Sequence, residues 1–164
     1  MRAAWWWAAS LRLVCTSYSL QVALHAQSRY SDHGWVAGSE VTTAGLLSAL
    51  RRHPSVDHAA LFAPFAYAGL FNSTWDVLII EGWTGPVPKV IHEVRARCPR
   101  VRVLYWCLDT YPSLATVMQL DVDGYMTNSR VLVTTLGNIA PTLFLPLAAD
   151  LNGACPCVGF YKLC

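Results

Sequence analysis

The chain has 164 residues, of which 54% are apolar and only 13% charged, with a net charge of +2. Ordinary domains carry about 25% charged residues, so this sequence is rich in core formers and poor in surface charge, which excludes a disordered polypeptide. The length suits one domain, basic and acidic residues are interspersed without a Lys/Arg stripe, and no nucleic-acid partner is implied.

The N-terminus, "MRAAWWWAASLRLVC", holds one early Arg and an apolar run over Ala3–Ala9 that Arg12 interrupts. No clean small-x-small cleavage site follows. Residues 1–18 therefore read as a leader or weak signal segment, and a cytoplasmic location is favoured over the secretory pathway. No run approaches the ~18 apolar residues of a spanning helix, so no transmembrane helix is expected. Asn72-Ser73-Thr74 fits a glycosylation acceptor only if the chain enters the secretory route.

From there strand and helix alternate. "LQVALHA" (20–26) is a short apolar run and predicts the first strand. "QSRYSDHGWVAGS" (27–39) is polar and carries Gly34 and Gly38, which predicts a loop. Ser39 is a good N-cap, Glu40 suits the positive helix end, and Val41, Ala44, Leu47 and Leu50 mark one face of a helix that Pro54 stops. "VDHAALFAPF" (56–65) predicts a second strand and "WDVLIIEGW" (75–83) a third, the latter without alternation, as in strands buried on both faces. A helix over 86–98 with Pro near its start, a strand over 100–109 and a short helix over 111–120 follow. "DGYMTNS" (123–129) is a strand, "RVLVTTLGNI" (130–139) a helix and "TLFLPLAAD" (142–150) a last strand.

This alternation predicts βαβ units with right-handed crossovers: an α/β, Rossmann-like doubly wound parallel sheet. In such sheets ligands bind at the carboxyl ends of the strands. The candidate site is then the loop with His33, Gly34, Gly38 and Ser39, together with Glu81, Trp83, Asp109, Tyr111, Asn128 and Ser129. Aromatic faces beside carboxyl groups suit a sugar cleft. Glu81 and Asp109 could orient or deprotonate an acceptor hydroxyl, although Asp109 could equally cap the following helix. Asn128 and Ser129 could simply cap the helix that starts at Arg130, and His33 could be a solvated loop residue. The Gly34-x-x-x-Gly38 spacing is not a dinucleotide fingerprint.

Six cysteines occur, and Cys98 and Cys107 fall where a buried thiol is a small apolar residue. Cys155, Cys157 and Cys164 lack a fourth ligand and a C-x-x-C spacing, so no metal is assigned.

Taken together, "GWVAGSEVTTAGLLSAL", "WDVLIIEGW", "VLYWCLDT", "DGYMTNS" and "LFLPLAAD" resemble the amino-terminal half of GT-B glycosyltransferases, in particular the CgeB/YkvP-like spore-protein group. The resemblance covers residues 20–150. It implies an architecture of two Rossmann-like domains across a cleft. The first holds a sugar or glycoconjugate acceptor and the second a nucleotide-sugar donor. Carried over by position, His33, Gly34, Gly38 and Ser39 would face the cleft, Asp109 and Tyr111 would line the acceptor side, and Asn128 and Ser129 would lie near the hinge. Residues 19–150 are then the acceptor-side domain, and the Cys-rich 151–164 a truncated or aberrant tail. The fourteen residues after Asp150 are too few for a donor domain, so the chain is expected to be a fragment lacking its C-terminal GT-B half. It would hold no cofactor of its own. The alternative is a non-catalytic Rossmann-like binding or interaction module. A receiver-like domain is excluded on residues: "ALHAQS" has no acidic pair, and Glu81 stands where the phosphate-accepting Asp would be.

Overall fold

The computed structural model describes residues 19–26, 38–62, 67–71, 74–81, 86–107 and 114–145. In chain order they form β1 (Leu20–His25), α1 (Gly38–Arg52), β2 (Val56–Phe62), a 3-10 turn (Tyr67–Phe71), β3 (Val77–Glu81), α2 (Pro86–Arg97), β4 (Arg102–Cys107), α3 (Leu114–Val117), β5 (Gly124–Thr127), α4 (Arg130–Gly137) and β6 (Thr142–Phe144). The strands make one sheet in the order β2-β1-β3-β4-β5-β6. Every neighbouring pair is parallel. The expected Rossmann-like α/β fold is present, with the strand order of the flavodoxin-like doubly wound sheets and not the 3-2-1-4-5-6 order of dinucleotide-binding domains.

The order explains the layers. The chain steps one way from β1 to β2 and the other way from β3 onward, so right-handed crossovers place α1 on one face and α2, α3 and α4 on the other. Under α1, through Leu46, Leu47 and Leu50, lie Val22, Leu24, Ile79, Trp106 and Met126. On the opposite face Leu78, Ile80, Val103 and Tyr125 pack against Val90, Ile91 and Val94 of α2, Val117 of α3 and Leu136 of α4. Strands covered on both sides need apolar residues at both parities, which is why "VLIIE" and "RVLYWC" do not alternate.

Two aspartates stitch the amino edge of the sheet. Asp76, just before β3, accepts the Gln21 N–H of β1 at 2.8 Å. Asp123, just before β5, accepts the Val103 N–H of β4 at 2.7 Å, Arg95 Nη2 at 2.9 Å and Arg102 Nη1 at 3.0 Å. Each carboxyl thus satisfies an amide of the adjacent strand that the ladder leaves over.

Gly124 has a steric reason to be glycine. A Cβ there would lie 2.9 Å from the Pro141 carbonyl oxygen and 3.2 Å from Leu104 Cδ2. The leucine tip can move, but the Pro141 oxygen is backbone and accepts the Tyr125 N–H at 2.9 Å. We expect Gly124→Ala to lower unfolding free energy by about 1–3 kcal/mol in urea titration, through loosening of β5 against β6. An unchanged midpoint would show that the Pro141 turn gives way freely.

Several boundaries differ from the sequence expectations. α1 begins at Gly38, which puts Ser39 inside its first turn and not at the cap. α3 spans only Leu114–Val117, closing with the i→i−3 bonds of Gln119 and Leu120 N–H to Thr116 and Val117 C=O. β6 is described over Thr142–Phe144 and β2 over Val56–Phe62, and the expected extensions over 146–150 and 63–65 lie outside the described residues. Cys98 and Cys107 are buried in the core, as read. Among the described residues no helix is long and apolar enough to cross a membrane.

Candidate functional site

The sheet reverses direction between β1 and β3, since the chain leaves β1 toward β2 and leaves β3 toward β4. At such a point the adjacent crossovers run to opposite faces, and a crevice opens at the carboxyl ends of the two strands. Glu81 closes β3 at this place. It is only 2% exposed. Its Oε2 accepts a hydrogen bond from Thr43 Oγ1 of α1, a residue 38 positions earlier and itself buried. The hydroxyl donor offsets part of the cost of placing a carboxyl group in the interior. Glu40, in the first turn of α1, adds a second carboxyl group to this end of the helix.

His25 ends β1 beside Ile80 of β3, on the face opposite Glu81, and is 2% exposed. Burial pushes its pKa below the usual 6.5, and hydrogen bonding to the Glu81 and His25 backbones resists that without reversing it. The imidazole is therefore neutral at pH 7. Tyr105 follows in the same row, and its ring meets Tyr125 edge-on at 6.5 Å. Burial foremost, then the neighbouring Cys107, Glu81 and Tyr125, raises the Tyr105 phenol pKa and keeps it protonated. On the α1 face, Trp106 of β4 stands in register with Glu81.

Of the residues singled out from sequence, the structure describes Glu81, Asn128 and Ser129, and the backbone of Gly38 and Ser39. Ser129 caps α4: its side chain accepts the Leu132 N–H at 3.5 Å, and its own N–H donates to Thr127 Oγ1 at 3.1 Å. The capping reading of "TNS" is thus the structural one. Asn128 lies beside it, half-buried. These two sit two strands from Glu81, roughly 10 Å across the sheet. His33, Gly34, Trp83, Asp109 and Tyr111 lie outside the described residues.

Thr43, Trp106 and His25 were not singled out. Thr43 is separated from its partner by two crossovers, and the Trp106 pairing with Glu81 follows only from strand order. A signal existed for His25 alone: a histidine at the end of the first strand of such a sheet lies at the rim. Among the described residues, no group of three His, Cys, Asp or Glu is placed to hold a metal ion.

A scan against protein-family models, a search of curated proteins and a search of solved structures each find no match. Fold and site together define a doubly wound α/β domain with buried polar groups under the carboxyl rim of its sheet. That strand order serves flavoproteins and receivers alike, so function has to be argued from the site.

Proposed function

We propose that this chain is the acceptor-side domain of a GT-B-type glycosyltransferase of the CgeB/YkvP-like kind that its motifs resemble, acting with a second Rossmann-like domain that binds the nucleotide sugar. The observation that carries the reading is Glu81, held by Thr43 at the reversal point of the sheet, where a carboxyl group can position a hydroxyl-bearing ligand. Glu40 in the first turn of α1 supports the division of labour, because a carboxyl there opposes the anionic diphosphate of a donor. In this reading the acceptor is a sugar or glycoconjugate. Asp109 serves as the hydroxyl-activating group, and His33, Gly34, Trp83 and Tyr111 are the further acceptor-side candidates that the resemblance carries over. We place the protein in the cytoplasm, the location that the interrupted apolar run of the N-terminus favours.

One observation favours the second reading, a non-catalytic binding module. Glu81 at 2% exposure is better placed to orient than to exchange protons with a substrate. The two readings share saccharide binding and differ in transfer. We expect saturation-transfer NMR on the full chain to detect methyl pyranosides with dissociation constants on the order of 1 mM. Calorimetry with uridine- and guanosine-diphosphate sugars is expected to give no diphosphate-dependent binding. Micromolar nucleotide-sugar binding would overturn the division of labour, and silence toward every saccharide would overturn both readings.

A further inference from the structure

On one side the sheet ends at β2, which has β1 as its neighbour and no strand beyond it among the described residues. The Ala26 N–H donates to the Phe62 carbonyl at 3.0 Å, and the register pairs Val22 with Ala59 and Leu24 with Leu61. Backbone groups in a parallel ladder alternate in direction along each strand. Ala60 and Phe62 therefore bond inward to β1, and Ala59 and Leu61 turn their N–H and C=O to the free edge. Ala59-Ala60-Leu61-Phe62 holds no Pro, Gly or charge, and Leu61 is 42% exposed. Trp75 covers the strand on one face, stacked on His58 at 5.5 Å and edge-on to Phe62 at 5.6 Å. An apolar edge of this kind is a template for another strand.

One contact opposes that. Arg51, in the last turn of α1, donates from Nε to the Ala59 carbonyl at 3.0 Å. This is a carbonyl that the ladder turns outward. Positive charge suits the carboxyl end of any helix, and Arg52 bonds Ser48 Oγ within α1 itself. Arg51 leaves its helix and reaches the strand edge instead. The edge is also complementary to itself. If two copies met through β2 about a two-fold axis at Ala60, Ala59 of each would face Leu61 of the other. Each such pair would exchange both of its backbone bonds. The Ala59 carbonyl is an acceptor in every pair, and Arg51 already fills it.

We propose that Arg51 guards the β2 edge against a second copy of this chain, by occupying the Ala59 carbonyl and by setting a cation in the path of an incoming strand. A second copy is the occupant because the outward groups of Ala59 and Leu61 match themselves across a two-fold axis. An arriving strand gains the Ala59 carbonyl only by breaking a charge-assisted hydrogen bond, which is stronger than the amide bond that would replace it.

The test compares full-length proteins by sedimentation equilibrium from about 1 to about 200 μM. Arg51→Met keeps the stem and places a methyl where Nε stood, whereas Arg51→Gln places an amide N–H there. We expect Arg51→Met to self-associate roughly tenfold more tightly than wild type, and Arg51→Gln to match wild type. Leu61→Pro removes an N–H that faces the free edge and leaves the bonds to β1 in place, as edge strands tolerate. Added to Arg51→Met, it should restore the wild-type mass. Equal masses for wild type and Arg51→Met would overturn the guard and leave Arg51 as a tie between α1 and β2. Association of Arg51→Met that survives Leu61→Pro would overturn the β2 edge as its site. Arg51→Ala takes the place of Arg51→Met in the same comparison if the latter fails to fold.

Discussion

Asp123→Ala is expected to lower the unfolding free energy by about 3 kcal/mol at pH 7, read from urea titration. The carboxyl group is about three-quarters buried, with a side-chain exposure of 24%, and pairs with Arg95 and Arg102. Its removal leaves the Val103 N–H without its acceptor and Arg95, itself 22% exposed, without its nearest counter-charge. Breaking a partly buried network of this kind costs more than a surface ion pair, which is worth 0–1 kcal/mol. Burial pulls the Asp123 pKa upward, but the Val103 N–H and the two arginines outweigh it, and the net shift is below the ordinary 3.8. A carboxyl whose folded pKa lies below its unfolded value stabilises fully above the unfolded value. That contribution fades as pH falls through the folded one. The gap between wild type and Asp123→Ala should therefore be constant from neutral pH down to about pH 5 and shrink in stronger acid. Equal stability of the two proteins at pH 7 would show that the clamp is ornamental.

Ile80→Ala should cost about 3–4 kcal/mol, against less than 1 kcal/mol for Leu143→Ala. Ile80 is fully buried, in the middle of the sheet on the α2 face. Its loss leaves a cavity between β3 and α2 that neighbouring strands, held by ladders on both sides, cannot close. Leu143 belongs to the last strand and is 58% exposed, so solvent already meets it. Thermal unfolding of both variants checks the contrast, and similar values would mean that β6 is covered in solution by something Leu143 touches.

The sequence carried those elements whose physical cause is local. "VLIIE" between Asp76 and the following glycine, the Pro86 start of α2 and the Ser129 cap of α4 are each written in a handful of consecutive residues. Strand order is not local, and neither is the Thr43–Glu81 bond or the Trp106–Glu81 register, because each joins residues on separate crossovers. Asp123 is instructive in another way. It belongs to "DGYMTNS", a motif read for its rim residues, yet it precedes its strand, and in a parallel sheet a residue before a strand lies at the amino edge. Direction alone separates its structural role from the other end of the same motif. β6 pairs with β5 from Tyr125–Thr142 to Thr127–Phe144, the Leu145 N–H still donating to the Thr127 C=O at 2.8 Å, and the rest of its expected run lies outside the described residues.

The placement of β1 also governs how the molecule is assembled. Among the described strands, the one that emerges first from the ribosome is bordered by two that come later, with registers joining Leu20 to Val56 and Val22 to Val77. Its described partners are both parallel and cannot close on it as a hairpin, since parallel partners need a whole crossover between them. Until residues near 81 have been synthesised, "LQVALH" remains a bare apolar edge. Nascent chains stalled before that length should be the ones that chaperones hold and that aggregate.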